Sequence, residues 1–202
     1  MENLPSLEIT VLILAGGKSS RMGRDKALIP INGVPLLRRI YLIARKCSNF
    51  VYIVADKQEK YKDILPKDCS FLSDFPLLGA KGSQGPLIGF AGGLKEVKTQ
   101  WVLLLACDLP RLEAEAINKW ISYLSTVKQQ DIALLPRSEK GWEPLCGFYR
   151  LDCFPLLIDF IQQGGRSFQR WLALHPVTEL PIKDTSVLFN CNTPTDLIAV
   201  DS

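Results

Sequence analysis

The sequence predicts an α/β fold, with a mostly parallel central sheet flanked by helices on both faces. Two observations carry this. Continuously apolar runs at Ile9–Leu14, Val51–Ala55 and Trp101–Ala106 read as strands covered on both sides. Longer amphipathic stretches separate them, and alternation of strand and helix builds βαβ units.

Each element has its own signal. Pro35–Cys47 reads as a helix, with Pro35 near its start and Leu36, Leu37, Ile40, Ile43 and Ala44 along one face. Phe71–Ser73 is a short apolar segment ahead of Asp74. A second helix starts near Pro86 and ends near Lys98. A third, Leu112–Val127, sets Ile117, Ile121 and Leu124 at helical spacing, and Asp131–Leu135 is another strand. After Pro144 the pattern loosens. Pro144–Arg150 and Val187–Phe189 read as strands, and Phe154–Gln163, Ser167–Leu174 and Pro194–Val200 as helices. There is no internal repeat, low-complexity tract or linker, so residues 1–202 read as one domain.

Composition narrows the class. The chain is 47% hydrophobic and 22% charged, as globular proteins are, and its net charge of +3 is too small for a nucleic-acid-coating protein. Six cysteines form no C-x-x-C pair, and the single histidine, His175, has no metal-ligand partner nearby in sequence, which argues against zinc. Several cysteines sit in apolar runs, as buried thiols do in a reducing compartment. Met1–Thr10 carries Glu2 and Glu8 without a basic segment, so a secretory leader is not expected, and no apolar run nears the roughly 20 residues that cross a bilayer. The expected location is cytoplasmic.

The loop after the first strand carries the chemistry. It reads Leu14-Ala15-Gly16-Gly17-Lys18-Ser19-Ser20-Arg21-Met22-Gly23-Arg24-Asp25-Lys26. In an open parallel sheet, ligands gather at the carboxyl ends of strands. Glycines there let backbone N–H groups face an anion. Lys18, Arg21, Arg24 and Lys26 set four cations against Asp25, a balance that suits a triphosphate. By composition alone, a solvated basic turn is an equal reading. The segment has neither the Walker A spacing nor G-x-G-x-x-G. Asp108, just past the run Trp101–Ala106, falls at the same sheet edge. It suits a magnesium ion that shares its shell with substrate phosphates, or else a cap for the helix near Leu112.

The order L-A-G-G-x-S-x-R-M-G-x-D-K is more specific than its composition. It resembles the N-terminal motif of nucleotidyltransferases that activate small phosphorylated molecules, most closely the molybdenum cofactor guanylyltransferases. The resemblance continues through Asp74, Gly85-Pro86-Leu87-Ile88-Gly89, Cys107-Asp108-Leu109-Pro110, Glu143-Pro144-Leu145 before Tyr149-Arg150, and Asn192-Thr193-Pro194.

It implies a Rossmann-like, single-domain nucleotidyltransferase, with the N-terminal part binding nucleotide and the C-terminal part the acceptor. It also implies Mg²⁺ as cofactor and GTP and a molybdopterin-type cofactor as substrates. Partners would be transient, among molybdenum-insertion or molybdoenzyme proteins, with no nucleic acid and no membrane. Leu14, Ala15, Gly16, Gly17, Lys26, Asp56, Asp74 and Asp108 would bind nucleotide, with Arg21 and Lys26 on the triphosphate and leaving group and Asp108 on the metal. Pro144, Leu145, Arg150 and Asn192 would lie near the acceptor.

The family usually carries asparagine where this chain has Asp56, a carboxylate that accepts hydrogen bonds but donates none. That departure keeps open a cytidylyltransferase of the same cofactor, or a transferase acting on a sugar or polyol phosphate. A nucleotide-binding assembly factor for molybdoenzymes, without turnover, is the non-enzymatic alternative. Asp74 also reads as a turn residue before Pro76. The loop Phe75–Gln84 reads either as a flap over the nucleotide or as a surface insertion. His175 receives no role, since its place before Pro176 reads as a helix end. An acceptor that is itself a phosphate should meet positive charge, and some of Arg137, Lys140, Arg150, Arg166 and Arg170 could line its pocket, although most of them are expected in solvent.

Overall fold

The structure, a computed structural model, describes residues 7–16, 25–73, 85–191, 193 and 195–197. In chain order, β1 (Ile9–Leu14) is followed by a small hairpin of β2 (Pro30–Ile31) and β3 (Val34–Pro35). Next come α1 (Leu36–Cys47), β4 (Phe50–Val54), β5 (Ser70–Leu72), α2 (Pro86–Leu94), β6 (Trp101–Ala106), α3 (Ala114–Ile121) and β7 (Ala133–Leu135). A second hairpin, β8 (Arg137–Ser138) and β9 (Gly141–Trp142), precedes β10 (Cys146–Arg150), α4 (Phe154–Gln162), α5 (Phe168–Leu172) and β11 (Val177–Glu179).

Seven strands form one sheet in the order β11-β7-β10-β6-β1-β4-β5. β1 runs parallel to β4 and β6, β4 to β5, and β11 to β7, while β10 is antiparallel to β6 and β7. The mostly parallel sheet is therefore as expected. Every strand of it but β10 ends at one edge, and β10 begins there.

Side-chain alternation along the strands divides the core into two layers. Ile9, Val11 and Ile13 of β1, with Trp101, Leu103 and Leu105 of β6, face α1 and α3 through Leu37, Ile40, Ala44, Ile117 and Trp120. Leu12, Val102 and Leu104 face the other way, onto α2, α4 and α5. Burial on both faces is why these strands lack a polar alternate residue.

α2 is buried from Leu87 to Leu94, with Pro86 at its first turn. A Cβ on its Gly93 would come within 2.7 Å of Leu12 Cδ1 and 3.1 Å of Val54 Cγ2, so glycine lets this helix lie close on the sheet.

Several boundaries differ from the sequence expectation. The helix at Pro86 ends at Leu94 rather than near Lys98. The stretch Leu112–Val127 is α-helical only over Ala114–Ile121 and tightens to a 3-10 helix at Ser122–Thr126, where Ser122, Ser125 and Thr126 hydroxyls donate to carbonyls three residues back. Val187–Phe189 is not a strand. Thr185–Leu188 forms a 3-10 helix because the Asp184 carboxylate accepts from Ser186 N–H and starts the turn. The edge strand β11 and the two hairpins carry too few residues to show a period. Thr193 and Asp196 exchange side-chain to backbone hydrogen bonds, a capping pair at the expected start of the last helix. Among the described residues, no helix is long and apolar enough to cross a membrane.

Candidate active site

The glycine-rich motif begins where β1 stops. Ala15 N–H donates to Val54 O at 3.0 Å, extending the sheet by one residue before the chain turns. Gly16 then takes φ +104°, a conformation that favours glycine, and it is exposed. Gly17 and Arg21 lie outside the described residues, as do Asp74, Asn192 and the loop Phe75–Gln84.

The motif ends on a tightly held pair. Asp25 opens a 3-10 turn, Lys26–Leu28. One of its carboxylate oxygens accepts from Ala27 N–H at 3.2 Å. The other accepts from the Tyr61 hydroxyl at 2.9 Å and lies 3.6 Å from Lys60 Nζ. Lys26 turns the opposite way and sets Nζ 3.1 Å from Asp108 Oδ2, with the two side chains 19% and 15% exposed. This ion pair joins residues 82 apart in sequence. It sits at the carboxyl ends of β1 and β6, where the sequence had placed both partners. Asp108 does not cap a helix: α3 starts at Ala114, and the Asp108 carbonyl accepts from Cys191 N–H at 3.0 Å.

Tyr61 is the component that sequence reasoning missed. Its ring is 2% exposed, in a 3-10 helix over Gln58–Ile64. Its hydroxyl holds Asp25 at one end of the glycine-rich motif, and a Cβ built on Gly16, near the other end, would lie 3.7 Å from that oxygen. Burial, and then the bond to Asp25, pushes the phenol well above its ordinary range, so it stays protonated and donating. The available signal was one aromatic residue inside an otherwise charged stretch, Gln58-Glu59-Lys60-Tyr61-Lys62-Asp63.

Cys107 stands next to Asp108 but is no nucleophile. Burial, followed by the charges of Asp108 and Asp25, pushes its thiol up to about 12. The other described cysteines are also free.

On the β4 side of the ion pair, Asp56 is exposed two residues past the strand. On the β10 side, Pro144 and Leu145 line a cavity of about 120 Å³ together with Leu109 and Leu188. The sheet fixes this wall: Ala106 N–H donates to Leu145 O at 2.8 Å, and the Tyr149 hydroxyl donates to Pro144 O at 2.8 Å. Leu14 and Ala15 end β1 between the two sides.

Arg150 corrects the expected acceptor set. β10 runs antiparallel, so its last residue pairs with Trp101 at the start of β6, at the far edge of the sheet. There the guanidinium lies 4.4 Å from the Trp101 ring centroid and donates to the carbonyls of Asp131, Val127 and Lys128. Arg166 is likewise occupied, donating to Ile161 O and Gly165 O at the end of α4, and Arg137 lies over the Trp142 ring. Lys140 and Arg170 are exposed. His175 meets the Trp171 ring edge-on and plays no part at the site.

The end of the glycine-rich motif that follows β1 and the aspartate at the end of β6 meet through Lys26 at one edge of the sheet. The protein family described as "MobA-like NTP transferase domain" matches residues 11–177. This chain belongs to that family. Among MobA-like relatives, a "probable molybdenum cofactor guanylyltransferase" of Nostoc sp. is 53% identical over 95% of this chain and 90% of that protein. A "molybdenum cofactor guanylyltransferase" of Pseudomonas putida is 34% identical over 92% and 93%. Among solved structures, molybdopterin-guanine dinucleotide biosynthesis protein A from Archaeoglobus fulgidus superposes with a TM-score of 0.77. It covers 95% of this chain and 96% of that one at 22% identity, a likeness of fold. The resemblance read from the motifs and the nucleotidyltransferase fold are thus both found.

Proposed function

We propose that this MobA-like transferase moves GMP from GTP to the terminal phosphate of molybdopterin-bound molybdenum cofactor and releases pyrophosphate. The Lys26–Asp108 pair at 3.1 Å carries the reading, because it brings the phosphate-loop motif and the strand-end aspartate to one point on the sheet edge. The relatives named as guanylyltransferases support the choice of substrates.

The acceptor's phosphate oxygen is already an anion, so no general base is needed. That oxygen forms a bond to the α-phosphorus of GTP, while the bond from the α-phosphorus to the bridging oxygen breaks and pyrophosphate leaves with the electron pair. The protein's tasks are alignment and charge neutralisation. Gly16 and Gly17 offer backbone donors, and Arg21 and Lys26 neutralise the triphosphate and the departing pyrophosphate. Tyr61 keeps Asp25 in place, so that the residue after it, Lys26, projects toward Asp108. On the β4 side, Asp56 suits guanine, whose N1–H and N2–H are two adjacent donors for one carboxylate. By the resemblance Asp74 also contacts the nucleotide, and Pro144, Leu145 and Asn192 hold the acceptor.

Asp108 fits a magnesium ion. Mg²⁺ is usually held by one or two carboxylates plus substrate phosphates rather than by a protein cage. Among the described residues there is no cluster of three His, Cys, Asp or Glu that could cage an ion. A single hard oxygen donor at the strand end is therefore the matching set. When bound, Mg²⁺ supplies charge neutralisation on the triphosphate. The reaction is expected in the cytoplasm, with product passing transiently to molybdenum-insertion or molybdoenzyme proteins.

The test is to incubate the protein with Mg²⁺, molybdopterin-bound cofactor and each nucleoside triphosphate in turn, and to identify the product. A guanine dinucleotide is the expected product. A cytosine dinucleotide would replace the base assignment, and no product with any nucleotide would end the reading.

A further inference from the structure

The cavity on the β10 side has a chemistry that tells the two ends of an acceptor apart. Leu109, Pro144, Leu145 and Leu188 make it largely apolar, Asn190 adds a polar side chain, and Glu143 is the only charged residue among the described residues lining it. The backbone of Glu143 is fixed on both sides. Its N–H donates to Pro136 O at 2.9 Å, and its carbonyl accepts from Cys146 N–H at 3.3 Å. The preceding residue is pinned as well: the Gln169 side chain accepts from Trp142 N–H and donates to Trp142 O. The buried Cys146 thiol in the same wall is pushed up to about 12, first by burial and then by the Glu143 charge, so that carboxylate acts on the cavity wall.

A carboxylate in a largely apolar cavity repels a phosphate. It suits a flat heterocycle with two adjacent N–H donors, since the two oxygens of a carboxylate accept such a pair side by side. The 2-amino-4-oxopyrimidine ring of a pterin has this edge at N3–H and the 2-amino group. We propose that Glu143 recognises the pterin ring of the acceptor, so that the heterocycle enters the cavity and the phosphate faces Lys26 and Asp108. This assignment rests on molybdopterin being the acceptor.

Guanine carries the same donor pair, but the sheet separates the two sites. Asp56 follows β4 on one side of β1, whereas Glu143 precedes β10 on the far side of β6, with the Lys26–Asp108 pair between them. Two carboxylates with one preference flank the reacting centre, one for each ring of a dinucleotide product.

The experiment measures binding of free pterin and of lumazine, its 2,4-dioxo analogue, by equilibrium dialysis against the wild-type protein and E143Q. Lumazine keeps the ring size but puts a carbonyl where pterin has the amino donor. The wild type should prefer pterin at least about tenfold, and E143Q should lose that preference while keeping its melting temperature. In the transfer assay, E143Q should raise the KM for molybdenum cofactor about tenfold and leave the KM for GTP unchanged. A wild type that binds both ligands equally, or neither at millimolar concentration, overturns the assignment without any variant. A rise in the KM for GTP instead would make the cavity the guanine site, and the pterin assignment falls. If the wild type prefers pterin through Glu143 but transfers no GMP, the proposed function fails and this inference stands. If it transfers GMP and E143Q keeps the wild-type KM for cofactor, the reverse holds.

Discussion

Two cations, Lys26 and Arg150, sit at opposite edges of the same sheet and show how differently a positive charge can be used. Both stand in motifs that the sequence links to the family. Arg150 spreads its guanidinium over the Trp101 ring and three backbone carbonyls, binding the entrance of β6 to the segment ahead of β7. Lys26 meets a carboxylate at the edge where six strands end, beside a glycine turn with its backbone in the left-handed region. A planar fork on fixed carbonyls is a structural joint. A flexible ammonium whose partners include the Asp108 carboxylate is an arrangement that an arriving phosphate and metal ion can re-partner. The type of partner, rather than the charge itself, separates the working edge from the structural one.

The comparison is broken most sharply at Asp108. Asp108→Ala should lower kcat for GMP transfer by about 10³-fold, the scale of losing a main electrostatic element of a catalytic site, with a melting temperature close to wild type. Activity that survives this change would remove Asp108 from the reaction. Tyr61→Phe keeps the ring and deletes the bond to Asp25. A hydrogen bond to a charged group is worth about 1.5–3 kcal/mol, so the KM for GTP should rise about tenfold or more while the KM for cofactor stays put. Equal shifts in both constants would make Tyr61 a general structural residue. Arg150→Ala should do the opposite of Asp108→Ala. It should cost about 2–3 kcal/mol of stability in urea unfolding, because three carbonyls lose their donor, and leave kcat within about twofold. A large fall in kcat at unchanged stability would return Arg150 to the acceptor site.

The smallest effect concerns alkaline pH. Burial pushes the Cys107 and Cys146 thiols from their ordinary 9.0 up to about 12, so the folded chain keeps protons that the unfolded chain has released. The stability they contribute is complete below pH 9 and is lost as pH rises from there through about 12. Thermal melts under reducing conditions should show that decline above pH 9, and Cys107→Ala should soften it. A melting temperature independent of pH between 8 and 11 would contradict the burial of these thiols.

What could be read in the sequence follows the same division. The strands Ile9–Leu14 and Trp101–Ala106 were legible to the residue because burial on both faces removes every polar interruption. Lys26 and Asp108 were legible because an ordered motif and a strand end each fix a position on the sheet edge. Arg150 misled because its meaning depends on strand direction: a parallel β10 would have carried it to the site, and nothing in five residues reveals direction. Tyr61 was hidden because its helix is a 3-10 turn in a charged stretch, with no period to mark the buried side. Glu143 stood in the family-linked stretch Glu143-Pro144-Leu145 but received no role of its own, because the backbone bonds around it and the cavity beside it appear only in the fold.

The reversed strand has one more consequence. Because β10 runs against its neighbours, the segment that reaches the working edge from this side is the one leading into the strand, Pro136 through Leu145, with the β8–β9 hairpin as its outer part. That hairpin is outside the seven-stranded sheet. Residues added to or removed from its turn would alter the room beside Glu143 without shifting the pairing of β1, β4, β5 or β6. Under the proposed function, the acceptor side would thus be open to change while the strands leading to Lys26 and Asp108 keep their pairing, and exchanging this hairpin would be one route to a new acceptor.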